Sequence, residues 1–196
     1  PFQLGAELFG HAGIESDIEI QRLLVEALSL AGAGALHIDL GHVAVFRSLI
    51  HTAKVGSELE AQLFDALQAK DLPELESLTQ SVDPATRAAL LRLPRLYGGL
   101  EILAEARAVL PAHPQISRAL DDLAAIGGAL VGATPNVCVD LGELRGYHYH
   151  SGAVFSVYAA DWRHTVARGG RYDEIGKAFG RARPATGFSI DLRELA

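Results

Sequence analysis

The sequence predicts an α+β protein: a mostly antiparallel sheet flanked by helices and interrupted by a helical insertion. Three observations carry that expectation. Apolar and β-branched runs with the period of a strand lie in the first quarter of the chain. Leucines at helical spacing fill residues 57–131, punctuated by Pro73, Pro84, Pro94, Pro111 and Pro114. Strand texture then returns after Gly132. The chain therefore divides into a first core part, 1–56, an insertion, 57–131, and a second core part, 132–196.

Taken in order, Ser16-Asp17-Ile18-Glu19 fits a capping box that opens a helix. Ile20, Leu23, Leu24, Ala27 and Leu28 form its apolar stripe, and Gly32 and Gly34 end it. Ala35 to Leu40 alternates like a half-buried strand, while Val43 to Ser48 fits a strand or a helix equally. In the insertion the stripes run through Leu59, Leu63 and Leu67, then Leu75 and Leu78, Leu90 and Leu91, Leu100 to Leu110, and Leu120 to Leu130. Asn136 to Leu141 and Ala153 to Tyr158 read as strands, Thr165 to Arg168 as the start of another, and Ala185 to Leu192 as a strand leading into a helix. Gly169, Gly170 and Gly187 mark tight turns or close backbone approach.

Composition narrows the function classes. The 196 residues are 49% apolar and 21% charged, the balance of a folded globular chain. No apolar run approaches the roughly 20 residues that span a bilayer, and no signal peptide is visible, so no membrane is expected. The net charge is −7, with only three lysines and no basic run, which argues against a nucleic-acid partner. The single Cys138, within Val137-Cys138-Val139, reads as a buried structural thiol in a reducing, cytoplasmic setting. Lacking any methionine and opening on Pro1-Phe2-Gln3, the chain reads as the middle of a longer polypeptide.

Chemistry concentrates in two clusters. Arg145-Gly146-Tyr147-His148-Tyr149-His150 brings one cation, two imidazoles and two phenols beside a predicted strand, suited to holding a carboxylate and a planar ring. His148 and His150 would share one side of that strand, but nothing completes a metal site there, and no metal or cofactor is expected. Arg168-Gly169-Gly170-Arg171-Tyr172-Asp173 is the second cluster. It matches no phosphate-loop pattern, and neither a nucleophile elbow nor a zinc-binding His-Glu-x-x-His occurs, so no catalytic residue is assigned.

These clusters carry a resemblance. Histidyl-tRNA synthetases have Arg-Gly-Leu-Asp-Tyr-Tyr, then Gly-x-Val-Phe, then Gly-Gly-Arg-Tyr-Asp. Here the order is Arg145-Gly146-Tyr147-His148-Tyr149-His150, Gly152-Ala153-Val154-Phe155, and Gly169-Gly170-Arg171-Tyr172-Asp173. Gln3-Leu4-Gly5-Ala6-Glu7 through Gly10, with Asp17-Ile18-Glu19, resembles the family's Gln-x-Gly-x-Glu-x-x-Gly segment. The resemblance covers the whole chain and implies a class II aminoacyl-tRNA synthetase-like sheet, with motif 1 and the motif 2 arginine upstream of Pro1. It also implies a histidine pocket formed by Gln3, Glu7, Arg145 and Tyr172, with His150 standing where the family has a tyrosine.

The departures point away from catalysis. His148 replaces an active-site aspartate, and in Gly187-Phe188-Ser189-Ile190-Asp191-Leu192-Arg193-Glu194 an aspartate replaces a glycine and Glu194 replaces the arginine that grips ATP. An anion in place of that cation repels a triphosphate. The chain thus resembles the non-catalytic regulatory subunits of ATP phosphoribosyltransferase. That resemblance implies a short-form catalytic subunit as partner in a hetero-octamer, a homodimer of this chain within it, activation of that partner, and L-histidine as feedback effector. A fragment of a divergent histidyl-tRNA synthetase is the alternative, and an orphan synthetase paralogue a third.

Overall fold

The computed structural model describes residues 2–133, 136–160, 162 and 164–193. The elements run β1 (Gln3–Phe9), α1 (Ile14–Leu30), β2 (Leu36–His42), α2 (Val43–Ala53), α3 (Ser57–Gln68), α4 (Leu72–Leu78), α5 (Pro84–Arg92), β3 (Tyr97–Gly98), α6 (Ile102–Val109), α7 (Pro114–Leu130), β4 (Asn136–Asp140), β5 (Ala153–Ala159), β6 (Ala167–Arg171) and β7 (Ala185–Asp191). The described strands form one seven-stranded sheet in the order β1-β7-β6-β5-β2-β4-β3. Every neighbouring pair is antiparallel except β2 and β4. A parallel pair needs a long crossover, and the helices α2 to α7 supply it.

Alternation along the strands separates two faces. The back face carries Leu36, Ile38 and Leu40 of β2, Phe155 and Val157 of β5, Val139 of β4 and Phe188 and Ile190 of β7, all buried. Helices α1 and α7 cover it. Both bury an apolar stripe against the sheet, with Ile20, Leu24 and Leu28 on α1, and Ile116, Leu120, Leu123, Ile126 and Leu130 on α7. These residues and those of α2, α3, α5 and α6 belong to one continuous apolar core. The front face is polar and holds Gln3, Glu7, His37, Asp39, Cys138, Ser156 and Arg168.

A buried ion pair lies behind the sheet. The guanidinium of Arg171, 7% exposed, donates to Asp17 Oδ2 at 2.9 Å, to Ser16 Oγ at 2.7 Å and to the Gly13 carbonyl at 3.0 Å. It also reaches Asp173 at 3.2 Å. Ser16 is therefore not a helix cap: α1 begins two residues earlier, after Gly13, and the Ser16 hydroxyl donates to the Gly13 carbonyl at 2.8 Å. The predicted capping box fails because the Arg171 network uses its serine.

Other expectations are resolved or corrected. The ambiguous segment at Val43 is a helix, started by His42 Nδ1 accepting from Ala44 N at 3.2 Å. The stretch 145–150 is a series of turns and not a strand edge. Gly146, at φ +72°, offers its carbonyl to the amides of Tyr149 and His150, both at 2.8 Å, which spends on a local turn the groups a ladder would need. His148 and His150 consequently do not share a strand face. Gly169 and Gly170 lie in mid-strand, without a turn. Cys138 is half-buried on the front face, outside the apolar core. The strand expected at Ala185 ends at Asp191, and the helix expected after it falls outside the described residues.

Removing one partner of a buried ion pair leaves the other charge unmatched. Arg171→Leu and Asp17→Leu are each expected to cost about 3–5 kcal/mol in urea denaturation. The double variant should lose less than the sum, because the two residues are in contact.

Candidate functional site

The sheet register places Glu7, Gly187, Gly170, Val154 and Gly41 in one row across five strands, on the front face. The two central glycines form a floor without side chains. A Cβ on Gly187 would approach Glu7 Cγ to 2.9 Å, and one on Gly170 would approach both His150 Cδ2 and the Ala153 carbonyl to 2.7 Å. Glu7 and His150 thus stand over opposite ends of this floor. Tyr172, two residues beyond Gly170, shares its face and stacks on Tyr149 with ring centroids 5.1 Å apart. Tyr149 in turn meets the His150 ring edge-on at 5.2 Å.

The polar atoms of this group are poised rather than satisfied. The Tyr172 hydroxyl is buried beside the Glu7 carboxylate, without a hydrogen bond of full geometry among the described residues. Burial, reinforced by the neighbouring Glu7 carboxylate, pushes its pKa well above the usual phenol value. Such a group costs on the order of 1–3 kcal/mol, which a bound donor or acceptor would relieve. His150 Nδ1 lies 3.1 Å from the Gly146 carbonyl. A carbonyl only accepts, so in the neutral ring Nδ1 carries the proton and Nε2 is left as an acceptor. Burial lowers the His150 pKa despite the Gly146 contact, which favours that neutral form.

The structure therefore unites Glu7, His150 and Tyr172, and adds Tyr149. In the sequence Tyr149 stands out only as part of an aromatic run, and its stacking partner becomes visible through the fold. Gln3 lies four residues from Glu7 on the same strand face, about 13 Å away. Its cross-strand neighbour is Asp191, whose Oδ1 accepts from Arg193 N at 3.0 Å. Glu194 lies outside the described residues. Arg145 is half-exposed and set against Glu143, with Nε 3.5 Å from Oε2. Partial burial works against its charge, but Glu143, Tyr158 and Asp39 outweigh it and hold its pKa above the ordinary value. Tyr147 and His148 point elsewhere. Tyr147 donates to Glu60 Oε1 of α3 at 2.8 Å, and its ring packs on Phe46, Phe64 and His148.

Behind the sheet, a cavity of about 370 Å³ is lined by Asp17, His42, Arg47, Asp122, Arg171 and Asp173, among others. Much of its charge is already engaged. Arg171 is held by Asp17 and Asp173, His42 lies 3.6 Å from Asp122, and Arg47 donates to the carbonyls of Tyr147 and His150.

A family model described as histidyl-tRNA synthetase matches residues 1–195. Curated proteins named ATP phosphoribosyltransferase regulatory subunit are similar along the whole chain. Those of Ralstonia pickettii and Azoarcus sp. are 54% and 55% identical over 196 residues, covering 100% of this chain and 50% of theirs. The chain thus spans about half the length of the curated relatives it matches. Among solved structures, one described as an ATP phosphoribosyltransferase regulatory subunit/histidyl-tRNA synthetase from Bacillus halodurans superposes with a TM-score of 0.87 at 28% identity, covering 98% of this chain and 52% of that one. An ATP phosphoribosyl transferase complex from Thermotoga maritima has a TM-score of 0.75 at 22% identity over 96% of this chain and 65% of that one, a likeness of fold.

The lowered pKa of His150 sets a pH window. In the unfolded chain the ring takes up a proton near its ordinary value of 6.5, and in the folded chain only at lower pH. Its contribution to stability is therefore complete above about pH 6.5 and is lost as pH falls through the folded value. The stability advantage of the wild type over His150→Gln should shrink on acidification in that range, as read by urea denaturation at stepped pH.

Proposed function

The chain belongs to the histidyl-tRNA synthetase family, and from that premise we propose that it is the ligand-sensing part of an ATP phosphoribosyltransferase regulatory subunit. The observation that carries the reading is the group around the glycine floor. Glu7, the buried Tyr172 hydroxyl and His150 Nε2 offer one anion and two neutral polar atoms to a small ligand with donor groups. An ammonium and an imidazole N–H are such donors, and L-histidine carries both. Arg145 completes the candidate site, while Gln3 lies about 13 Å along β1 from Glu7, beyond reach of the same small ligand. Arg145 would turn from Glu143 to meet the ligand's carboxylate, which couples binding to a change of partner.

Two further observations support sensing over catalysis. Asp191 brings an anion to the end of β7, where a nucleotide triphosphate would meet repulsion. The relatives that match the whole chain at 52–55% identity carry the name of regulatory subunits. On this reading the complete protein activates a short-form catalytic subunit in the cytoplasm and carries histidine feedback to it, as a homodimer within a hetero-octamer. The insertion at 57–131 is placed to relay occupancy, since Glu60 of α3 holds Tyr147, two residues from Tyr149.

The complete protein mixed with a short-form catalytic subunit should accelerate ATP phosphoribosyl transfer and make it histidine-sensitive. Glu7→Gln should raise the histidine concentration for half-inhibition roughly tenfold or more, the weight of a charged hydrogen bond, with activation retained. Absence of both stimulation and histidine sensitivity would overturn the reading, and histidine-driven ATP–pyrophosphate exchange would favour the synthetase alternative.

A further inference from the structure

A second cluster occupies the front face toward the other edge of the sheet. His37 and Asp39 lie two residues apart on β2, so their side chains leave the same side. The parallel register sets Cys138 of β4 directly beside Asp39. One imidazole nitrogen, one carboxylate oxygen and one thiol sulfur thereby come within 4.8 Å of one another, all on half-buried residues. His37 Nε2 lies 2.8 Å from Asp39 Oδ1.

We propose that His37, Asp39 and Cys138 form a binding site for a divalent transition-metal ion, with zinc the best chemical fit. Two ligands at i and i+2 of one strand, with a third from the adjacent strand, present three donors on one side and leave the fourth tetrahedral position open. Bonds of about 2.0–2.3 Å place tetrahedral donors roughly 3.3–3.8 Å apart, so the His37–Asp39 pair, now at 2.8 Å, would open slightly while the Cys138 sulfur closes in by up to about 1 Å. Side-chain rotation on fixed strands would supply movements of that size. The donor set selects the metal class: one soft sulfur and one imidazole suit zinc, cobalt or similar ions, whereas magnesium and calcium demand several oxygens.

The surrounding charges permit a cation. Asp39 and Glu101 both act on the Cys138 thiol, and Tyr97 of β3 stands beside it. Asp140 is paired with Lys70 at 2.9 Å, and Arg145, the cation acting on Asp39, is half-exposed and set against Glu143. Binding requires the thiol to release its proton to solvent as the metal–sulfur bond forms, while His37 binds neutral and Asp39 ionised. Burial keeps that thiol protonated in the free protein, so uptake should strengthen as pH rises.

Cobalt(II) titration of the chelator-treated protein tests this directly. Cys138 is the single cysteine of these 196 residues, and the Cys138→Ser variant assigns a thiolate-to-cobalt charge-transfer band to this site. A band saturating at one equivalent, displaced by zinc and absent in Cys138→Ser, is the expected result. His37→Ala and Asp39→Asn should each weaken cobalt binding by about tenfold or more, with far-UV circular dichroism verifying that the variants fold. No thiolate band in the wild type would overturn the proposal whatever the variants do. A band that keeps its affinity in both His37→Ala and Asp39→Asn would overturn it as well.

Discussion

A buried guanidinium organises the centre of this molecule. Arg171 leaves the back of β6 and binds Asp17, Ser16 and the carbonyl of Gly13, all at the first turn of α1. Its backbone carbonyl accepts from Ser151 N at 2.7 Å, which ties down the end of the loop that carries His150. Asp173, paired with the same guanidinium, accepts from Ala185 N at 2.9 Å, and its own amide donates to Ser151 Oγ at 2.9 Å. One charge thus fixes α1, β6, β7 and the 145–152 loop relative to each other. Alternation does the rest: with Arg171 committed to the back, Gly170 and Tyr172 must face the front.

The front face works because it lacks what the back has. Apolar side chains on the back drive α1 and α7 onto the sheet, whereas the glycine row on the front leaves backbone where side chains would otherwise fill the groove. The absence of a Cβ at Gly170 and Gly187 lets His150 and Glu7 lie close over the strands, and the aromatic pair Tyr149–Tyr172 closes the rim. A site built on strands, with its loop pinned by Arg47 and Arg171, holds its geometry better than one built on loops alone.

Much of this is legible in residue order. The α1 stripe, the strands at Leu36, Ala153 and Ala185 and the leucine-rich crossover follow from periodicity, which local packing respects. What stays hidden depends on contacts distant in sequence. Asp17 and Arg171 are 154 residues apart, and no spacing rule links them. The turn at Gly146 needs Arg47 and the site behind it to outbid a strand that the aromatic residues alone would favour. β3 is two residues long, below any periodic signal, and exists through its pairing with Val139 and Asp140. The side on which Cys138 lies follows from the β2–β4 register, which a string of apolar neighbours does not reveal.

The charge balance of the front face limits what it can hold. Glu7, Asp39 and Asp191 oppose Arg145 and Arg168, and the two cations stand apart, one on a strand and one on a loop, rather than focused on one point. A triphosphate needs concentrated positive charge, which this face does not offer at one point. A small zwitterion needs one charge of each sign at moderate separation, and it gains most where a buried polar atom awaits a partner. The Tyr172 hydroxyl is such an atom, and Arg145, half-exposed and facing Glu143, Tyr158 and Asp39, is the cation that a ligand carboxylate would have to draw away. The exchange carries a cost, because Glu143 is largely buried and loses its cation when Arg145 turns away. A ligand that drew Arg145 from Glu143 would bind two arrangements of the same loop with different strength, which is the condition the proposed sensor must meet.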